Sequence, residues 1–348
     1  MSAEPPERAE NAIELKEVEG LSQGQIVRRR FLRHRGAMVA MVVLLLVVLL
    51  AATSIGWGPV PGWWIWDYTS SGPVVNGGRP TLSLPTWLGG DGFALGEHPF
   101  GQDEIGRDVF ARVMKGTQTS LTVMVVVGLV ATLVGIVVGS IAGYFRGRTD
   151  NLLMRFTDLV ITIPTIVIGS VLGKLVGGSS ALALALALGL ISWTGLARLV
   201  RGDFLTLRER EFVDAARVAG ASDTRIALKH ILPNAVGVVI VNTTLLMSAA
   251  ILLETALSYL GFGITAPNVS LGQLISEYQS AFATRPWLFW WPGFFIVAIA
   301  LCINFVGDGL RDAFDPRQKR IPSRRRMERA VRRTAAPARG RSSGLGAS

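Results

Sequence analysis

Glu211-Phe-Val-Asp-Ala-Ala-Arg-Val-Ala-Gly220, running on to Lys229-His-Ile-Leu-Pro-Asn234, is a charged segment set between long hydrophobic runs. Lipid gives no reason to keep so ordered a polar stretch between two spans. Phe212, Ala215, Ala216 and Ala219 fall at i, i+3, i+4 and i+7, which predicts one small-residue face on a helix. Gly220 is suited to stop that helix, because glycine takes positive φ without steric cost. Ser222 is placed to cap a second helix, and Pro233 to end it. The expectation is helix, turn, helix at the membrane surface, with a face that another protein approaches closely.

The composition around this segment is that of a polytopic membrane protein. Half of the 348 residues are hydrophobic and 17% are charged, with a mean hydropathy of +0.42, which argues against a soluble domain. The net charge of +10 would suit a nucleic-acid binder. Such a protein would not carry six membrane-length apolar runs, so no nucleic-acid partner is expected. Cys302 is the one cysteine and lies in the last apolar run. It can form neither an intrachain disulfide nor a metal cluster and reads as a small core residue.

Met38–Ile55 is an uncharged 18-residue run, about 27 Å as a helix against a hydrocarbon core of roughly 30 Å. Leu121–Tyr144, Thr157–Val176, Ala181–Leu199, Ala235–Leu257 and Trp287–Val306 follow. The alternation Ala181-Leu-Ala-Leu-Ala-Leu-Ala-Leu188 looks strand-like, but both residues are strong helix formers and both faces are apolar, so helix is expected. The fold class is therefore all-α with six transmembrane helices. Arg28, Arg29, Arg30, Arg33 and Arg35 precede the first span, and arginines crowd the second-to-third and fourth-to-fifth connections and the C-terminal region. Lys174 and Arg285 stand alone in the opposite loops. The positive-inside rule then puts both termini in the cytoplasm. Arg28-Arg-Arg-Phe-Leu-Arg33 also resembles a twin-arginine export signal, but its apolar run is long, lacks a small-x-small cleavage site and is followed by five spans. A retained first span is expected.

Four regions are expected. Residues 1–27 form a disordered cytoplasmic tail; 28–116 hold the basic patch, first span and long outer loop; 117–314 form the transmembrane core, with the polar loop at about 200–234; and 315–348 form a basic disordered tail. Trp57, Trp63, Trp64 and Trp66 in the outer loop suit the headgroup zone. Pro164, inside the third span, removes a backbone hydrogen bond and predicts a kink with a gating role. Asp158 and Glu254 lie near opposite span ends and read as interface charges. His34, His98 and His230 are the three histidines, and His230 reads as a packing or capping residue.

Catalytic motifs are absent from the sequence. No G-x-x-x-x-G-K-[ST] occurs, and the nearest approach, Gly169-Ser-Val-Leu-Gly-Lys174, lacks the spacing and the hydroxyl needed to hold a triphosphate and magnesium. There is no H-E-x-x-H and no C-x-x-C. The chain is expected to be neither a motor nor an enzyme, with no cofactor of its own.

The polar loop resembles the "EAA" loop of permease subunits of ATP-binding-cassette importers: Asp214-Ala215-Ala216, Gly220, Ile226 and His230-Ile-Leu-Pro-Asn234 match its pattern, with Asp214 where the family usually has Glu. His98-Pro-Phe-Gly-Gln-Asp-Glu-Ile-Gly-Arg-Asp108 is similar to the "H-x-x-G-T-D-x-x-G-R-D" segment of dipeptide and oligopeptide permeases, with Gln102 for Thr. Leu196-Ala-Arg-Leu-Val-Arg-Gly202, Leu260-Gly-Phe-Gly263 and Gly307-Asp-Gly-Leu-Arg-Asp-Ala-Phe-Asp-Pro316 extend the likeness from about Arg28 to Arg317, while Leu271 stands where a Trp is common. The whole resembles the second, C-type permease of the dipeptide, oligopeptide and nickel family. That resemblance implies a bacterial inner-membrane permease forming half of a pathway for di- or oligopeptides, or for a nickel chelate. It implies as partners a second permease in a heterodimer, two ATPase subunits that bind ATP and Mg, and an extracellular binding protein. Glu211, Asp214, Ala215, Ala216, Gly220, Ile226, His230, Pro233 and Asn234 would form the ATPase-coupling loop. The substrate-binding residues are unknown. An ion-gradient transporter is the rival class, and it would need buried ionisable residues or repeated broken helices.

Overall fold

The computed structural model describes residues 23–83, 85–88, 92–176 and 180–314; the first 22 residues and the basic tail from 315 lie outside them. The chain divides into a unit spanning Phe31–Arg311 and a second one drawn from its two ends. Among the described residues the regular structure is helical, with only isolated β-bridges. Helix α1, Gln23–Arg33, begins inside the stretch expected to be disordered through residue 27. Most of its residues are good helix formers, and they carry an apolar period. Then come α2 (Arg35–Ser54), α3 (Val109–Phe145), α4 (Gly147–Thr162), α5 (Thr165–Val176), α6 (Ala181–Gly189), α7 (Thr194–Leu207), α8 (Glu211–Val218), α9 (Asp223–Tyr259), α10 (Leu271–Tyr278) and α11 (Trp287–Phe314).

Four helices, α2, α3, α9 and α11, are each long and apolar enough to cross a membrane alone. The other two expected spans are broken: α4 and α5 meet at 80°, and α6 and α7 at 41°. Six spans result if each bent pair counts as one. Pro164 stands at the sharper break, where its ring and missing N–H end the α4 hydrogen-bond ladder. The alternating Ala-Leu run is helical, as α6. Helix α3 begins at Val109, twelve residues before the expected start. At 37 residues it is about 55 Å long and overshoots any bilayer. Sequence hydropathy did not find its first three turns because they carry Arg112, Lys115 and Gln118; Arg112 pairs with the loop and α10, Lys115 lies over the Tyr68 ring, and Gln118 donates to the Ala51 and Gly56 carbonyls.

Helix α3 is the axis of the fold, and glycines let its neighbour come close. Gly135, Gly139 and Gly143 recur every fourth residue and form a stripe against α7. A Cβ at Gly139 would lie 2.4 Å from the Ala197 carbonyl, and one at Gly143 2.6 Å from Phe204 Cβ. Small residues allow this backbone approach, and dispersion then holds the helices together where lipid supplies no hydrophobic drive.

The long loop is a built cap at one end of the bundle. Asp108 caps α3 by accepting from the Ala111 N–H at 2.7 Å, and it is held by His98 Nδ1 at 2.7 Å and the Trp64 indole at 2.9 Å. Burial pushes the Asp108 carboxyl up, while His98, the Ala111 N–H and Trp64 pull it down. Gln102, in the place of a common Thr, accepts from the Val75 N–H and donates to the Pro73 and Gly106 carbonyls. Asp103 and Glu277 together bind Arg107 and Arg112, joining the loop, α3 and α10. Of the four tryptophans expected at the headgroups, Trp57 and Trp63 are exposed. Trp64 packs on Phe110, and Trp66 packs on His98 and donates to the Glu97 carbonyl. Cys302 is buried, as a small core residue should be.

Glu254 corrects a sequence expectation. It is no interface charge: its side chain is wholly buried between α3, α9 and the start of α10. The Ser258 and Ser270 hydroxyls each donate to it at 2.7 Å, and that of Ser120 at 3.1 Å. Those hydroxyls in turn accept the N–H groups of Ile264, Gln273 and Leu271. Ser258 is one turn away on the same helix, but Ser270 and Ser120 come from other elements, so only the folded chain shows the site to be polar. Asp158, by contrast, is exposed and paired with Arg198.

The glycine stripe makes a direct expectation. Gly139→Val should cost about 1–3 kcal/mol by overpacking, whereas Gly195→Ala, with nothing within 4 Å of its added Cβ, should be near neutral. Thermal unfolding of the purified subunit in detergent measures both; equal stability of the two variants would contradict the close α3–α7 approach.

Candidate coupling surface

Helix α8 starts at Glu211 after Arg210, with Glu211 and Asp214 in its first turn and Arg217 in its last. That distribution suits the helix dipole, which favours anions at the N-terminus and cations at the C-terminus. Arg217 also pairs with Asp214 at 3.0 Å. The helix ends at Gly220 with φ +79°. The Ala221 N–H donates to the Ala216 carbonyl and the Gly220 N–H to that of Arg217, each at 3.0 Å. These two bonds define a Schellman cap. A Cβ on Gly220 would touch nothing within 4 Å, so its requirement is purely one of backbone conformation.

One face of α8 is nailed to its own chain. Val213 is fully buried, and Ala216 and Ala221 pack against a cluster that includes Tyr144, Phe204, Ile226 and Ile231. The opposite face carries Phe212, Ala215, Val218 and Ala219, all exposed; Val218 is 89% exposed. The expected small-residue face is therefore split. Ala216 turns inward as part of the anchor, and Val218 joins the outward strip. Val213 and Val218 escaped sequence reading because the chosen i, i+3, i+4, i+7 set straddled the real boundary by about one residue. The i, i+3 pair of Val213 and Ala216 was the available signal.

The second half of the segment departs from the expected helix pair. Ser222 precedes the next helix but makes no side-chain cap bond; Asp223 instead accepts from the Tyr144 hydroxyl at 2.5 Å. Asp223–Arg225 leads into a π-helical turn, Ile226–Ile231, and straight into the α-helix Leu232–Tyr259. Pro233 does not end this helix. It stands in the first turn after the π segment, where a missing N–H breaks no α-helical bond. Ile226 is fully buried and belongs to the anchoring cluster. His230 is half-buried, and its carbonyl accepts from the Asn234 side chain at 2.6 Å, while Pro233 and Asn234 are exposed.

Charged side chains brace the surface from behind. Arg208 donates to the Tyr144 carbonyl and lies over the Tyr144 ring. Arg146 reaches the Leu205 carbonyl at 3.2 Å and Glu209 at 2.6 Å, and holds the exposed Glu209 carboxyl below its usual range. Glu211 and Asp214 remain exposed at the rim of the apolar strip. This constellation has no nucleophile–base pair, and among the described residues no group of His, Cys, Asp or Glu is placed to hold a metal. Its assets are a rigid, capped helix, an apolar ridge and flanking charge, which suit docking rather than catalysis.

Residues 135–320 match the family described as "Binding-protein-dependent transport system inner membrane component", and residues 22–72 the "N-terminal TM domain of oligopeptide transport permease C". The chain is 35% identical over 313 residues to the oligopeptide transport system permease protein OppC of Haemophilus influenzae, covering 90% of this chain and 94% of that one. It is 37% identical to the Escherichia coli K12 OppC over 324 residues, with 92% and 99% covered. Identity to the Mycobacterium tuberculosis H37Rv OppC is 36% over 301 residues, with 86% and 97% covered. Among solved structures, an inward-facing MetNI methionine ABC transporter is similar with a TM-score of 0.49 and 19% identity, over 59% of this chain and 96% of that one.

Gly220→Val should weaken the α8 cap by roughly 1–2 kcal/mol, the cost of a left-handed backbone for an L-residue. Gly220→Asn should lose less, because asparagine tolerates that conformation. Hydrogen exchange of the α8 amides reads the difference, and unchanged exchange in Gly220→Val would reject the cap assignment.

Proposed function

The chain belongs to the family of binding-protein-dependent transport system inner membrane components, and on that footing we propose that it is the C-type permease subunit of an ATP-binding-cassette importer of peptides. It is a multi-pass inner-membrane protein and not an enzyme. Its α8 ridge docks an ATPase subunit, and ATP and Mg are bound by that partner. The observation that carries this reading is the division of α8. Val213 and Ala216 fix one side to the permease, while Phe212, Ala215, Val218 and Ala219 present an exposed apolar strip that no described residue covers. A solvated loop has no reason to expose a 39% Phe and an 89% Val on a capped helix. The split also suits force transmission, since a load on the outer face passes into the buried one.

The remaining partners follow from membership: a second permease completing the pathway as a heterodimer, two ATPase subunits, and a binding protein delivering substrate on the far side. The reading places both termini and α8 in the cytoplasm, supported by the arginine asymmetry between loops. The oligopeptide names of the relatives favour peptide over a nickel chelate as cargo. Coupling needs only that ATP binding favour one conformation of the docked pair, since a ligand shifts an equilibrium by its differential affinity.

Two outcomes are expected. Phe212→Asp and Val218→Asp should lower ATPase co-purification and peptide uptake at least tenfold at unchanged membrane levels; normal co-purification would sink the docking role of α8. Reporter fusions active only outside the membrane should be silent at Phe314 and active near Phe93, and activity at Phe314 would reverse the orientation.

A further inference from the structure

Helix α4 is attached to the rest of the chain in an unusual way. Its buried residues are Asp150 and Thr157, both polar. Phe156 stacks on Trp193 and Val160 packs against the Trp193–Ala197 cluster, but the ties from α4 to α7 and its trailing linker are ion pairs. Arg201 grips Asp150 with two bonds, Nε to Oδ1 at 2.5 Å and NH2 to Oδ2 at 2.6 Å. Arg198 binds Asp158 at 2.6 Å, nearer the break. At the other end Arg146, just before α4, binds Glu209 at 2.6 Å, two residues before α8. The pairs run antiparallel, 158 with 198, 150 with 201 and 146 with 209, and form a ladder that ends beside the docking helix.

Both ends of α4 are breaks in the helical backbone. Arg146 takes φ +56°, a left-handed conformation that a non-glycine residue adopts at a cost, and separates α3 from α4. Ile163 and Pro164 separate α4 from α5 at an angle of 80°. Beside the Phe156–Trp193 stack, an open groove of about 510 Å³ is lined by Leu159 and Ile163 together with Val134 and Leu190. A helix with a break at each end, a groove along part of its inner side and ion pairs to α7 has the attachments of an arm that moves with that neighbour.

We infer that α4 is a lever driven by α7 and α8 through the Arg201–Asp150 pair, with Arg198–Asp158 and Arg146–Glu209 as supporting rungs. Displacement of α8 by its partner is thereby converted into a change of the bend at Pro164. Arg201 and Asp150 are positioning residues in this scheme, since they touch neither nucleotide nor cargo. Asp150 is the least exposed carboxylate of the ladder, with 11% of its side chain accessible, against 53% for Asp158 and 67% for Glu209. Its pair is accordingly the one least screened by water and salt. The inference rests on α8 being the ATPase-docking helix, and the two claims fail in different ways.

The test uses the complete importer, with its ATPase subunits and binding protein, reconstituted in bilayers. Spin labels at the exposed Leu152 on α4 and Leu175 on α5 report the bend by double electron–electron resonance. In the otherwise wild-type importer, the distance is expected to shift between nucleotide-free and ATP-bound states. Asp150→Asn and Arg201→Met should abolish that shift and cut peptide transported per ATP hydrolysed by tenfold or more, while ATPase co-purification stays normal. The exchanged pair, Asp150→Arg with Arg201→Asp, should recover much of the ratio. An unchanged distance between nucleotide states without these substitutions overturns the lever, whatever becomes of the variants. So does a normal distance shift and transport ratio in Arg201→Met. Loss of docking on α8 substitution is read separately from co-purification, so normal docking with an unresponsive bend rejects the lever and leaves the docking reading standing.

Discussion

The close approach of α3 and α7 is the constraint on which the rest of the structure depends. Two helices in lipid gain no hydrophobic free energy from meeting, so they must gain it from contact at short range. Gly135, Gly139 and Gly143 remove every Cβ that would hold α7 away. With α7 set against α3 in this way, Phe204 and Val200 fall beside Tyr144, and that cluster receives Val213, Ile226 and Ile231. The position of α8 is thus inherited in part from a glycine stripe on another helix. The arginines of α7 likewise gain a fixed base from which to bind α4.

The polar groups of the bundle are organised in two ways. At the loop end, Asp103, Arg107, Arg112 and Glu277 form a network linking three parts of the chain. Glu254 forms a node whose hydroxyl partners are themselves bonded to backbone N–H groups at the start of α10. An ion taken from water into a protein interior costs on the order of several kcal/mol, and the cost is offset only when its lone pairs are occupied. The carboxylates of both arrangements are bonded in this way, although the buried Arg112 Nε has no partner, and both arrangements fix α10 against α3. The opposite end uses charge differently: its pairs link elements separated by breaks, and apart from the two-bond Arg201–Asp150 pair they are exposed. Rigidity at one end and hinged attachment at the other is the mechanical character expected of a protein that must hold a cap while moving an arm.

Helix α8 is a short element with one face packed on its own chain and one left exposed, the latter being the face proposed to dock an ATPase. Eight residues give little more than two turns, too short to be stable alone in water. Its own chain supplies what propensity cannot: a buried Val213, a Schellman cap at Gly220 and a following helix that begins on Asp223, bound to Tyr144. Once it is stabilised from behind, its outward strip is free to be selected for a partner. The π turn at Ile226–Ile231 fits the same economy. It carries the chain into α9 without a second loop, so α8 and a full span are joined by a single glycine turn.

Several features of this protein were decided by local chemistry and could be read from the sequence alone. Apolar runs too long for a soluble core demand helices, because lipid leaves no other way to satisfy backbone polar groups. Gly220 had to end a helix, Pro164 had to break one, and the Ala-Leu run had to be helical despite its alternation. The absence of a phosphate-binding loop gave the expectation of a separate motor, and the order of the polar motifs pointed to the family. The tertiary structure decided everything that depends on residues distant in sequence. Hydropathy alone placed Glu254 at an interface, since nothing local brings Ser120 and Ser270 to it. It also started α3 at Leu121, because Arg112 and Gln118 look soluble until their partners on other elements are known. The true face of α8 depended on where α7 and α9 lie, and so on the glycine stripe. Sequence periodicity specifies that a helix has an apolar side; only packing specifies which part of that side the chain keeps for itself and which it leaves to a partner.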